Sequence, residues 1–451
     1  MNAEALVRAP AAAVDLLVRG AHVLDPRTGI DAPHDVLVRE GEIAEIGAPG
    51  SLEVPAGAEL VDGTGRHLFP AFVDPHVHLR VPGQEHKEDL GSGTRAAAAG
   101  GYCAVVAMPN TSPVVDSASG LRSLRDGAAR DAKVPVGFMP AITRGLGGEE
   151  LTEMAELRAL GALGFTDDGR PVVSAGMLRK ALQYQRMCGG VIALHEEDPS
   201  LSGAGAMHEG AVSALLGIAG IPSVSESTMV ARDAALAGYE GGRVHMQHLS
   251  AQESVLAVAT AKAQGVQVTC EASPHHLLLT DEAVRSLDTR MKMNPPLRTE
   301  EDRQALITGL RDGTIDCIAT DHAPHAKDEK EVPFEQAPMG TTGLETAFAA
   351  VYTGLVEPGV LPLGLVVEKL TSGGGLLDLP VPMIAVGSSA NLVLVDLDAT
   401  WTAGEHGYAS RSSNCCFDGR ELRGRILMTV AAGSVAYRER AFSLSPEGAA
   451  S

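Results

Sequence analysis

Short apolar runs broken by Gly, Pro and Asp open the chain, at residues 15–24, 35–38, 42–46 and 60–62, and predict β-strands joined by tight connections. The same texture returns at 390–396, 422–430 and 434–437. Two β-rich ends around one long middle predict a small β-sandwich assembled from both termini, with 13–68 and 385–440 as its two parts. Residues before about 13 and after about 443 are small and polar, and both ends are expected to fray.

The middle, 69–384, has another rhythm. Apolar runs bounded by Gly or Pro recur at 68–77, 101–108, 134–142, 161–166, 190–194, 243–249, 266–270 and 317–320. Stretches with helical periodicity lie between most of them, for example 117–131, 177–187, 226–237 and 300–311. Repeated β-then-α units of this kind predict an α/β fold, a (β/α)8 barrel of the TIM type, although periodicity alone also admits a doubly wound sheet.

The polar residues that end these runs separate the two folds. His76 and His78 follow the first run, Asn110 the second, Asp167 and Asp168 the fourth, His195 the fifth, His248 the sixth and Asp321 the eighth. In a barrel these strand ends converge on one face, where barrel enzymes carry their chemistry; in an open sheet they would be strewn along an edge. His76 and His78 stand two apart on a strand, so both imidazoles point to one side and can grip one metal ion. Four imidazoles with two carboxylates exceed what one tetrahedral ion needs and suit a binuclear centre. The sequence pattern leaves open which of Asp167 and Asp168 is the ligand, and a capping or turn role for Asp168 is the structural alternative.

Composition narrows the function. A 451-residue chain that is 45% hydrophobic can bury a large core, and with only 3% aromatic residues and 51 Gly that core is aliphatic. A net charge of −21 argues against nucleic acid and anionic membrane as partners, since both require a dense basic field. No apolar run approaches the roughly 18 residues of a membrane span, no cleavage signal opens the chain, and the cytosol is the expected compartment. The six cysteines lack C-x-x-C spacing and read as reduced thiols, most of them buried.

The chain resembles the dihydroorotases of the amidohydrolase superfamily, in particular their longer bacterial class, over nearly its whole length. The resemblance rests on FPAFVDPHVHLRVPGQEHKEDL at 69–90, VAMPNTSPVVD at 106–116, GALGFTDDGRPV at 161–172, KMNPPLR at 292–298, ATDHAPHAKDEK at 319–330 and APMGTTGLET at 337–346. It implies that His76, His78, Asp168, His195, His248 and Asp321 hold two zinc ions, with Asp168 bridging and Asp321 also shuttling the proton. It further implies that Arg80, Asn110 and His325 bind a substrate carboxylate and that Asn294 contacts the ring. Many members of the superfamily bridge their metals with a carboxylated lysine; the fourth run here offers two aspartates and no lysine, as the named class does.

The implied reaction is the reversible hydrolysis of L-dihydroorotate to N-carbamoyl-L-aspartate, in pyrimidine biosynthesis. The residues suit it, because divalent ions lower the pKa of water toward about 7 and a neighbouring carboxylate can carry the proton to the leaving nitrogen. Arg80, two residues past His78, projects into the same cavity and can hold a carboxylate with two parallel hydrogen bonds; an ion pair with Glu85 or Asp89 is its alternative. For Asn110 the alternative is a turn role. Residues 322–333, rich in Lys and Glu, read as a mobile lid or a solvated rim. Related readings are an allantoinase or hydantoinase, or a non-catalytic homologue that scaffolds aspartate transcarbamoylase. That enzyme is also a possible partner of an active chain, and a homodimer is the expected assembly.

Overall fold

The computed structural model describes residues 5–443. Eight short strands, Phe72–Val77, Tyr102–Ala107, Val136–Phe138, Gly164–Thr166, Val191–Leu194, Val244–Met246, Val268–Ala272 and Cys317–Ile318, follow one another around a barrel. Neighbours pair in parallel from the first to the third and from the fourth to the eighth. The third and fourth are joined where Leu163 N–H donates to Phe138 O at 3.0 Å, and His78 N–H donating to His322 O at 2.9 Å closes the ring. Nearly every strand residue is buried, which is why these segments read in the sequence as continuous apolar runs without alternation.

The intervening helices begin and end where local chemistry dictates. Ser117 and Ser174 cap Ala118–Asp131 and Ala175–Cys188 through their hydroxyls. Thr299 and Asp302 form a reciprocal box at the start of Glu300–Asp312, which stops at Gly313 in the left-handed region. Among the described residues no helix is long and apolar enough to cross a membrane.

The strands at both ends form one mixed sheet of eight, a sandwich-like domain in which Leu392–Thr402 pairs antiparallel with His67–Pro70 and so joins the C-terminal part to the N-terminal part. Alternation is plain here: Leu16 and Val18 enter the main core of this domain, whereas Leu17 turns to the opposite face against Leu37 and Leu52. The join falls just before the first barrel strand, so Ala71 N–H donates to Asn391 O and Phe72 N–H to Gly101 O as the chain crosses from sheet to barrel. Between Leu392–Thr402 and Glu421–Ala431 the chain climbs to the barrel mouth. There Asn414 accepts the N–H of His325 at 3.0 Å and donates to Ala323 O and Gly340 O, both at 3.1 Å.

Frayed residues before 13 are corrected by the structure from Ala5 onward. Ala5 is buried, Val7 exchanges backbone hydrogen bonds with Val136, and Arg8 donates to Ala431 O, Ala432 O and Ser434 Oγ. An antiparallel bridge to the start of a barrel strand satisfies backbone groups that a frayed end would leave to water. The expected fraying after 443 lies outside the described residues. Of the six cysteines, all free, five are buried and Cys188 is partly exposed.

Candidate metal centre and active site

At the barrel mouth two groups of ligand atoms face each other across one carboxylate. Asp168 Oδ2 lies 3.5 Å from His76 Nε2 and 3.3 Å from His78 Nε2, and Asp321 Oδ1 lies 3.5 and 3.0 Å from the same two nitrogens. The other oxygen of Asp168 lies 3.7 Å from His195 Nδ1 and 3.6 Å from His248 Nε2, which are 2.9 Å apart. Donors held at about 2.1 Å around a tetrahedral ion stand about 3.4 Å from one another, close to most of these separations. The ligand atoms of His76, Asp168 and His248, and of His76, His78 and Asp321, fall within 4.8 Å of one another. These are two clustered His/Asp groups suited to metal.

The chemistry of the donors fits as well. Burial would raise both carboxyls, yet the imidazoles of His76, His78 and His248 outweigh it, holding Asp321 at about 2 and Asp168 well below the usual carboxylate range. Both are therefore anions at neutral pH. His76 Nε2 is buried with no hydrogen-bond partner, an arrangement that native interiors rarely tolerate and that a lone pair reserved for a cation explains. Arg80, His248 and Asp321 all take positive φ, at 58°, 31° and 47°. Such backbone strain, on the order of 1–3 kcal/mol per residue, gathers at sites where side chains must be aimed.

Asp167 points elsewhere: its carboxylate accepts the N–H groups of Ile142 and Thr143 and the Thr143 hydroxyl, fastening the segment that follows the third strand. Of the two adjacent aspartates, only Asp168 faces the histidines.

His78, Asp168, His195, His248 and Asp321 line a cavity of about 210 Å³ with Arg80, Asn110, Asn294 and His325. Arg80 pairs with neither Glu85 nor Asp89. Its Nε donates to Pro324 O at 3.0 Å and its Nη2 lies 3.4 Å from His325 Nε2, while Asp89 is taken by Arg411. Burial lowers the guanidinium to about 10, so it remains cationic at neutral pH. Burial, followed by the Arg80 charge, drives His325 down to about 2, leaving a neutral imidazole that lies 2.8 Å from Met339 O through Nε2. Asn110 Oδ1 lies 2.8 Å from His78 Nδ1, so its side chain is part of the site and not merely of a turn. Asn294 Nδ2 donates to Glu197 Oε2 at 2.6 Å and lies 3.3 Å from His195 Nε2.

The segment 322–333 is tied down at its far end. Lys330 is buried, and its Nζ donates to Thr289 O, Lys292 O and Pro338 O, so one side chain links this segment to the stretches leading to Asn294 and Gly340.

Sequence reasoning missed several residues here. Glu271, next to last in the seventh strand, sits 2.5 Å from His76 Nδ1 and 3.0 Å from His245 Nε2. It follows the seventh apolar run directly, so the strand-end rule applied to the other runs would have found it. Asp74, buried and raised to about 7, accepts the Thr320 hydroxyl at 2.5 Å and ties the first strand to the eighth. Inside an apolar run it gave no signal of its own.

A closed parallel barrel that gathers these histidines and aspartates at its mouth is the scaffold of a metal-dependent cyclic amidohydrolase. A family model described as dihydro-orotase-like matches residues 65–254. The chain is 46% identical over 426 residues to a dihydroorotase of Pelotomaculum thermopropionicum, covering 94% of this chain and 99% of that one. It is equally close, over 430 residues, to one from Anaeromyxobacter dehalogenans, covering 94% and 98%. The chain belongs to the dihydroorotase family. Among solved structures it is similar to an L-hydantoinase (dihydropyrimidinase) from Arthrobacter aurescens, with TM-score 0.83, 26% identity and 94% and 96% coverage. A D-hydantoinase (dihydropyrimidinase) from a Thermus species follows at TM-score 0.80, 26% identity and 94% and 95% coverage.

Proposed function

We propose that this chain catalyses the reversible hydrolysis of L-dihydroorotate to N-carbamoyl-L-aspartate at a centre of two zinc ions held by His76, His78, Asp168, His195, His248 and Asp321. The observation that carries the reading is Asp168, whose two oxygens each face a different histidine pair in the cavity that also holds the Arg80 guanidinium. The ions, when bound, supply Lewis acidity: they lower the pKa of water toward about 7 and polarise the ring carbonyl.

The chain's own residues do the rest. Arg80, cationic and fixed by Pro324 O, binds the substrate carboxylate together with Asn110 and His325, and this supplies positive charge that a protein of net charge −21 needs locally. Asn294 contacts the ring. Asp321, ionised and lining the cavity, accepts a proton from the attacking water and delivers it to the ring nitrogen as the C–N bond breaks. Oxygen from water ends on the carbonyl carbon and hydrogen on the nitrogen, and the reverse sequence closes the ring and releases water. In this reading residues 69–384 form the catalytic barrel, with 13–68 and 385–440 as the two parts of its companion domain.

A non-catalytic scaffold for aspartate transcarbamoylase would have no use for two such ligand groups. The test is turnover by the zinc-loaded chain of dihydroorotate, allantoin, hydantoin and dihydrouracil. Selective opening of dihydroorotate is expected. Turnover of another ring without dihydroorotate would replace the substrate, and no turnover of any ring would reject the reading.

A further inference from the structure

Beneath the metal centre, the two oxygens of Glu271 hold three groups, all buried. Oε1 lies 2.5 Å from His76 Nδ1 and accepts the backbone N–H of His248 at 3.2 Å. Oε2 lies 3.0 Å from His245 Nε2, and His245 Nδ1 lies 2.9 Å from Thr269 Oγ1. An ionised carboxylate can only accept, so both imidazoles must turn an N–H toward it. For His76 this places the proton on Nδ1 and the lone pair on Nε2, the atom that faces Asp168 and Asp321 with no hydrogen-bond partner. Gln247 Nε2 also lies 3.3 Å from His76 Nδ1, but two N–H groups cannot bond each other, and the shorter contact to Glu271 decides the tautomer.

We infer that Glu271 is a positioning residue for both metal groups, fixing the ring of His76 in one and the backbone of His248 in the other. The inference rests on the ligand set proposed above. Its physical basis is twofold. A carboxylate behind a ligating imidazole locks the ring and raises the basicity of the nitrogen that meets the metal, and such partners typically govern metal affinity by about 10- to 100-fold. His248 has a positive φ of 31°, and the bond from its N–H to Glu271 helps to hold that backbone against relaxation. Because one oxygen serves both groups, loosening it disturbs two ligands at once.

The experiment measures zinc affinity of the full chain by competition with a chromophoric chelator, and the visible spectrum of the cobalt-substituted chain, for wild type, Glu271→Gln, Glu271→Met and His76→Ala. Glutamine keeps the shape and one acceptor, and its amide can donate to His245 after that ring changes tautomer, so it removes mainly the charge. Methionine removes the acceptor as well. Expected are losses of zinc affinity of about tenfold for Glu271→Gln and about a hundredfold for Glu271→Met, with an altered cobalt spectrum, unchanged KM, and a melting temperature of metal-free Glu271→Gln close to that of the wild type. Wild-type affinity and spectrum in Glu271→Gln and Glu271→Met, with zinc lost from His76→Ala, would overturn the role of Glu271 alone. Wild-type affinity in His76→Ala too would overturn the ligand set beneath it. Should the methionine variant fail to fold, unchanged affinity and spectrum in Glu271→Gln suffice to reject the inference.

Discussion

The side-chain oxygen of Asn110 lies 2.8 Å from Nδ1 of His78, so a residue proposed to bind substrate also aims a proposed metal ligand. With Oδ1 committed to the imidazole, only its amino group remains to meet a carboxylate. Asn110→Ala is therefore expected to lower kcat/KM by about 10- to 100-fold and to weaken zinc retention in the same variant. Steady-state kinetics with a chelator titration checks this; a rise in KM with unchanged metal affinity would assign Asn110 to substrate alone.

Arg80 is buried and cationic, and among the described residues no carboxylate lies within ion-pair distance of its guanidinium. Replacing it with methionine should raise KM for dihydroorotate by about 10- to 100-fold, the scale of a hydrogen bond to a charged group, while leaving zinc content unchanged. Equal losses on dihydroorotate and on an uncharged ring such as dihydrouracil would show that the residue serves the fold and not the carboxylate.

Asp321 is held at about 2 by His76 and His78 despite its burial. Asp321→Asn should lower kcat by about 100- to 10,000-fold, the range of a lost general acid and base, with the far-ultraviolet circular dichroism of the wild type. Near-normal turnover in this variant would remove Asp321 from the proton path.

Glu345 supplies a prediction away from the metals. Its carboxylate accepts the N–H groups of Ala409 and Ser410, but burial prevails and pushes it up to about 7 from an ordinary 4.5. Between those values the folded chain keeps a proton that the unfolded chain releases, so the contribution of this group to stability is lost as pH rises through the window. Glu345→Gln cannot titrate, and its melting temperature should gain on the wild type between about pH 5 and about pH 8. Melting curves that stay a constant distance apart would contradict this.

Much of the site was legible because a barrel converts linear spacing into convergence. His76, His78, His195, His248 and Asp321 stand at or just past the ends of apolar runs, and closure of the ring brings those ends together. The choice between Asp167 and Asp168 was not legible from the residues alone, since adjacent residues share composition and differ only in which side of the chain they face. His245 was hidden inside an apolar run, whereas its partner Glu271 stands just past the seventh run, where the rule that singles out His195 and Asp321 applies equally. The bridge of Val7 to Val136 escaped for a different reason: a small-residue leader looks unstructured until a strand at the base of the barrel offers it hydrogen bonds. Contacts between distant segments leave no periodicity in either one.

Asn414 illustrates a wider consequence of that geometry. It belongs to the C-terminal part of the chain, yet it supports the backbone of His325, 89 positions earlier, together with Ala323 and Gly340. The barrel thus does not own its entire mouth, and excising it as a minimal catalytic fragment would remove a brace from the rim. A lesion at Asn414 should then masquerade as a defect in substrate recognition, although nothing about its neighbourhood in the primary sequence advertises one.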